Sequence, residues 1–366
     1  MLAFVRQEWA LFPAALTVAL FSVFGPAWLA DLSGSGWFAF VSLWLFGAIL
    51  IGCFAAVRHA DAIAERLGEP LGTLVLTLAV TGIEVTLIAA VMYTGEGHAT
   101  LARDAMFAVV MIVLNGLVGL SLIVGGLRHR EQTYNLQGAN AFLAVIVPIA
   151  VLGLVLPNFT RTTPGPVYSP GQATFLIVVS LVLYAVFLAI QNVRHRDYFI
   201  HQTGDAAPAA HGHARERSTA AHTMLLLVYL AGVLLLAKEI AVPINHAIEV
   251  LHAPRALGGF LVSVLVLAPE SLSAVRAALA NQLQRSVNLL LGSVLASISL
   301  TIPAVLAIGL ITGQSIVLGL DPVDITLLVL TLSVSTLTFA SARTNVLLGA
   351  VHLVLFLAYL MLLLET

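Results

Sequence analysis

Charge is what this sequence lacks. Of its 366 residues, 9% are Asp, Glu, Lys or Arg and 60% are hydrophobic, against roughly a quarter charged in an ordinary soluble domain. A composition this poor in charge excludes soluble domains tied to an anchor and leaves one polytopic membrane unit. The sixteen Lys and Arg are scattered among short polar stretches and the formal charge is -2, so no basic patch exists to hold nucleic acid. Cysteine is nearly absent. Cys53 stands alone, which excludes an internal disulfide and makes the thiol a small buried hydrophobe. Grouped catalytic side chains are missing too: Ser335, Ser341 and His352 are isolated, with His352 reading as a hydrogen-bonded core or interface histidine. The chain is therefore read as no enzyme, and no cofactor is assigned.

What the sequence has is a succession of apolar runs. A helix crosses the hydrocarbon core with about 20 apolar residues, and runs of that order lie near 9–30, 37–57, 71–94, 105–127, 141–157, 173–193, 223–243, 258–281, 288–312, 323–342 and 345–364. They predict an all-α membrane protein of eleven transmembrane helices. The first run follows Arg6 much as a signal peptide follows its basic residue, yet it is long enough to span and is expected to remain as the first helix. Arginine sets the orientation. Arg6, Arg58, Arg66, Arg128, Arg130, Arg194, Arg196, Arg215, Arg217, Arg276, Arg285 and Arg343 fall on one side, and only Arg103, Arg161 and Arg255 on the other. The N-terminus is expected in the cytoplasm and the C-terminus outside.

The longest polar segment, 194–222, includes "HQTGDAAPAAHGHARERSTAAH" and reads as a flexible cytoplasmic linker. His201, His211, His213 and His222 in it are candidates for pH sensing or transition-metal binding, although a solvated linker needs neither. The loop divides the chain into an N-terminal helix (1–36), a first set of five helices (37–193) and a second set of five (223–366). The two sets correspond. Asn115 lies twelve residues after Arg103, which lies nineteen after Glu84; Ser297 lies twelve after Arg285, which lies fifteen after Glu270. A four-residue insertion in "TGEGHATL" reconciles the spacings. Five spans separate equivalent positions, so the second copy runs through the membrane in the opposite sense, the inverted repeat of many secondary transporters, whose site lies near the midplane.

Glu84 and Glu270 are the carboxylates of that repeat. An acid at the bilayer centre costs roughly 2.5 to 3.5 kcal/mol on insertion scales, so such residues mark ion or proton pathways. Gly82 lies two residues before Glu84, and Pro269, immediately before Glu270, removes a backbone N–H. Carbonyls freed in this way are tolerated where they line a hydrated site. With Asn115, Ser293 and Ser297 nearby in the sequence, the candidate ligands are all oxygen, which suits calcium best and leaves sodium open. The same carboxylates can hold protons, and one place that takes either load gives exchange.

The residues "GEPLGTLVLTLAVTGIEVTLI", "ARDAMFAVVMIVLNGLVGLSLIVGGLRHR" and "LVLAPESLSAVRAALANQLQRSVNLLLGSVLAS" resemble the two alpha repeats of the cation/calcium exchanger superfamily, and more narrowly the bacterial ChaA-type calcium/proton antiporters. The resemblance implies a one-plus-five-plus-five helix arrangement in a bacterial inner membrane, and calcium export driven by proton entry. Its partners are inorganic cations, protons and the lipid bilayer, with a homo-oligomer left open. It places the essential acids at Glu84 and Glu270 and helix-borne oxygen ligands at Ser293, Ser297 and Asn115. The chain departs from the family where many members carry Gly-Asn before the repeat acid: Thr81 and Leu267 stand three residues before Glu84 and Glu270. That departure leaves sodium or potassium as alternative cargo. An uncoupled cation channel is a further alternative.

Four other ionisable residues lie in or beside the spans. Lys238 is either a tethered cation that pairs with an acid in the proton-coupling cycle or half of a structural pair with Glu239. Arg276 is expected to snorkel. Glu69, ahead of Pro70, reads as an ordinary helix-start carboxylate rather than a cation lure at an entrance.

Overall fold

The computed structural model describes residues 8–68, 71–94, 99–199 and 218–365. Glu69 and the loop histidines His201, His211 and His213 lie outside the described residues. Among the described residues eleven long helices follow one another: α1 (Leu11–Trp28), α2 (Ser35–Leu67), α3 (Leu71–Thr94), α4 (Leu101–His129), α5 (Leu136–Phe159), α6 (Pro170–Arg194), α7 (Thr219–Glu249), α8 (Ala256–Leu279), α9 (Leu283–Thr312), α10 (Pro322–Thr338) and α11 (Val346–Glu365). Ten are long and apolar enough to cross a membrane, and α10, with 17 residues, is shorter. One expected boundary moves. The Ser218 side chain accepts a hydrogen bond from the Ala221 N–H and starts α7 at Thr219, satisfying a backbone donor that a helix start otherwise leaves orphaned. His222 is therefore a residue of α7's first turn and not of the loop.

The helices pack as two compact units that do not coincide with the sequence repeats: Met1–His98 with Pro208–Pro269, and Ala99–Ala207 with Glu270–Thr366. Each unit draws helices from both sets of five. In the first unit α2 lies along α7, and α3 packs on both. The buried positions of α2, Val41, Leu45, Ile49, Gly52, Cys53, Ala56 and Ala60, recur at the three- and four-residue spacing of one helix face. A Cβ at Gly52 would stand 2.9 Å from Val233 Cγ2, so a glycine there lets the two backbones approach. Trp44 Nε1 donates to Thr17 Oγ1 at 3.0 Å, and Phe21 packs edge-on against Trp28 and Trp44, fixing α1 on α2.

In the second unit α11 packs along α4, α9 against α5 and α6, and α10 against α11. Two links between helices pair with two others. β1 (Gln132–Thr133), between α4 and α5, runs antiparallel to β2 (Arg343–Thr344), between α10 and α11. At the other end of α5, Val167, between α5 and α6, bridges Val317, between α9 and α10. Exchanging the repeats turns the first pairing into the second. Because α5 separates the two pairings by its whole length, the exchange axis crosses the helices rather than running along them, which is the geometry of an inverted repeat.

Candidate ion-binding site

Glu84 occupies the middle of α3's buried stripe. Val80, Glu84, Leu87, Ile88 and Val91 share one face at helical spacing, and the Glu84 side chain is 1% exposed. Thr81, also buried, adds a hydroxyl beside it in sequence. A buried acid at the centre of a membrane helix is a candidate for an ion or proton pathway by default.

Glu270 follows Pro269 inside α8 and is half-buried. Proline in a helix interior leaves the carbonyl four residues earlier without its usual partner, here that of Leu265. The C-terminal end of α8 is tied down by the link after α4: His129 Nε2 lies 2.9 Å from the Leu279 carbonyl, and Gln132 Nε2 donates to the Ala278 carbonyl at 2.9 Å and to Asn281 Oδ1 at 3.0 Å. These bonds take up carbonyls that a helix end leaves open.

Asn115 and Ser297, equivalent in the repeat, both fall in π-helical segments, Met111–Leu117 in α4 and Ser297–Thr301 in α9. Such segments shift a hydrogen bond by one residue and re-aim the side chains and carbonyls around them, often at functional sites. Pro303 follows the second segment and removes the N–H that the Ser299 carbonyl would accept. Ser293 and Ser297 are one turn apart in α9 and buried, and α9 packs against the π segment that holds Asn115. The Asn115 amide is engaged: Nδ2 donates to Thr331 Oγ1 at 2.8 Å, and Oδ1 lies 3.2 Å from His352 Nδ1.

Lys238 lies on the exposed face of α7. Its neighbour Glu239 turns toward α1, where a Cβ on Gly25 would stand 2.8 Å from Glu239 Oε2. Sequence reasoning missed two polar clusters. In the second unit Arg103 bonds Asp104 (2.8 Å), Asp321 (3.4 Å) and the Gly319 carbonyl (3.1 Å), fastening the start of α4 to the link after α9. In the first, buried Glu8 accepts from Arg58 (2.6 Å) and Tyr229 (3.0 Å) and lies 3.3 Å from His59 Nε2, while His59 Nδ1 meets His222 Nδ1 at 2.9 Å. Only the paired sign of Glu8 and Arg58 hinted at the second cluster. Among the described residues, no three His, Cys, Asp or Glu side chains group as a metal site.

A multi-pass helical membrane protein with an inverted repeat and a buried acid is the form of a secondary transporter, and comparison identifies the family. The chain belongs to the sodium/calcium exchanger protein family, which it matches over residues 37–193 and 221–365. It is 46% identical over 324 residues to y4hA of Sinorhizobium fredii, an ionic transporter by name, covering 88% of each chain. It is 41% identical over 316 residues to the sodium-potassium/proton antiporter ChaA of Escherichia coli, covering 86% of each. Among solved structures it shares the fold of the Ca2+/H+ antiporter YfkE, with a TM-score of 0.74 at 16% identity over 98% of this chain and 99% of that one. The ChaA-type resemblance read from the repeat sequences agrees with these relatives.

Proposed function

We propose that the protein exports a cation in exchange for protons, with Glu84 and Glu270 carrying either load in turn by alternating access. The observation that carries this reading is Glu84, 1% exposed in the buried stripe of a membrane helix. A carboxylate enclosed there is stable when neutralised by a cation or a proton and costly when bare. The empty, unprotonated carrier is thus disfavoured, and one species crosses only in exchange for the other. Calcium is the first cargo, because two carboxylates with the hydroxyls of Ser293 and Ser297 offer a hard, all-oxygen ligand set. The membrane is a bacterial inner membrane with the N-terminus in the cytoplasm, as the arginine distribution supports.

Sodium or potassium is the second cargo. The Escherichia coli relative is named for both ions, and Thr81 and Leu267 stand where many relatives place the Asn before the acid. The test is a pH gradient across proteoliposomes holding the purified protein, challenged separately with calcium, sodium and potassium. Dissipation by calcium supports calcium/proton exchange. Dissipation by sodium or potassium alone reassigns the cargo, and conduction of a cation without proton movement replaces the antiporter with a channel.

A further inference from the structure

The second unit holds a chain of linked buried groups. His352 of α11, Asn115 and Thr331 are 0% exposed and Thr338 is 1% exposed. His352 Nδ1 lies 3.2 Å from Asn115 Oδ1, and its Nε2 lies 2.9 Å from Thr338 Oγ1. On the far side, Asn115 Nδ2 lies 2.8 Å from Thr331 Oγ1, and Thr331 Oγ1 and Asn115 Nδ2 both reach Met111 Sδ, at 3.4 and 3.5 Å.

Proton supply sets the directions. A thioether sulfur only accepts, so the single Thr331 hydroxyl proton goes to Met111, and Thr331 must accept from Asn115. The amide nitrogen therefore faces Thr331 and the amide oxygen faces the imidazole. That oxygen has no proton, so His352 Nδ1 donates to it; Nε2 of the neutral ring then accepts from the Thr338 hydroxyl.

We infer that His352 is a positioning residue for cation transport, acting through Asn115; the inference rests on the transport function proposed above. One lone pair of Asn115 Oδ1 is held by the imidazole and the second is left for a cation. With His352 in place the amide cannot turn its N–H2 toward the ion without breaking the bonds at both ends. The second repeat supplies this clamp to the first. The histidine belongs to the second repeat alone: α6, the counterpart of α11, contains none.

The experiment compares cation-driven proton flux in proteoliposomes of the wild type, His352→Leu and His352→Asn, with and without Asn115→Ala. Leucine removes the donor, whereas asparagine keeps an N–H near the place of Nδ1. A lost hydrogen bond of about 1.4 kcal/mol corresponds to roughly tenfold. His352→Leu is therefore expected to raise KM for the cation about tenfold, with the maximal rate within about twofold, and His352→Asn to restore KM to within about threefold. In the Asn115→Ala background His352→Leu is expected to add nothing further. Thr331→Val, which frees the amide from its other end, should raise KM as well and carries the test if His352→Leu does not fold. Unchanged KM in His352→Leu and Thr331→Val, equal loss in the Leu and Asn variants, or full additivity with Asn115→Ala overturns the inference alone. Absence of coupled flux in the wild type overturns the transport function and this inference with it.

Discussion

Gly119 of α4 and Gly349 of α11 meet backbone to backbone. A Cβ on Gly119 would lie 2.9 Å from the Gly349 carbonyl oxygen, and one on Gly349 would lie 2.8 Å from that of Gly119. Small residues at such a crossing allow the close van der Waals contact that holds membrane helices together where no hydrophobic effect separates protein from lipid. The two glycines thereby seat α11, and its His352, against the π segment of α4.

Alanine at either glycine forces the helices apart, because the obstructing atoms are main-chain and cannot rotate away. Gly119→Ala and Gly349→Ala are each expected to destabilise the protein by about 1 to 3 kcal/mol, read as a lower melting temperature in detergent. The double variant should cost less than the sum, since one displacement relieves both clashes. Additive losses would place the two glycines in separate contacts.

Glu8 binds the segment before α1 to both α2 and α7 through Arg58 and Tyr229. Tyr229→Phe removes one bond to a charged acceptor and should cost roughly 1.5 to 3 kcal/mol. Glu8→Ala should cost more, because it leaves the buried Tyr229 hydroxyl without its acceptor and also removes the ion pair with Arg58. Chemical denaturation or thermal melting of the two variants checks the order, and a harmless Glu8→Ala would show that the segment is held by apolar packing alone.

Tyr168, in the link between α5 and α6, donates its hydroxyl to the Leu152 carbonyl, and burial pushes its ionisation up to about 12 from the ordinary 10. The folded protein thus keeps this proton where the unfolded chain loses it. The associated stability is fully present below about pH 10 and is lost as pH rises from there through about 12. The wild-type melting temperature should fall more steeply over that range than that of Tyr168→Phe. Parallel curves for the two would mean that the phenol is equally accessible in both states. Burial shifts Tyr134, which donates to the Thr338 and Ser341 carbonyls, in the same direction.

The spans were legible because membrane thickness sets a length of about 20 apolar residues, and Glu84 and Glu270 because an acid in such a run stands out. Length and polarity are local properties. The engagement of Asn115 is not, since His352 and Thr331 lie 237 and 216 positions away. The π segment at Ser297 has a sequence cue in Pro303, whereas α4 holds no proline to mark the one at Asn115. His222 was hidden by the polar composition of the segment before it, and its partner His59 is 163 residues distant. The compact units, likewise, follow from which helix faces meet and not from the order of the repeats.

The central claim is that the two glutamates carry the exchanged loads. Its most direct test is radiolabelled calcium uptake driven by an imposed proton gradient in proteoliposomes of the wild type, Glu84→Gln and Glu270→Gln, with sodium and potassium in parallel. Each glutamine is uncharged and nearly the same size, so the variants should insert and fold while cation uptake coupled to protons disappears from both. Proton-driven uptake that survives in either variant at the wild-type rate would contradict the account.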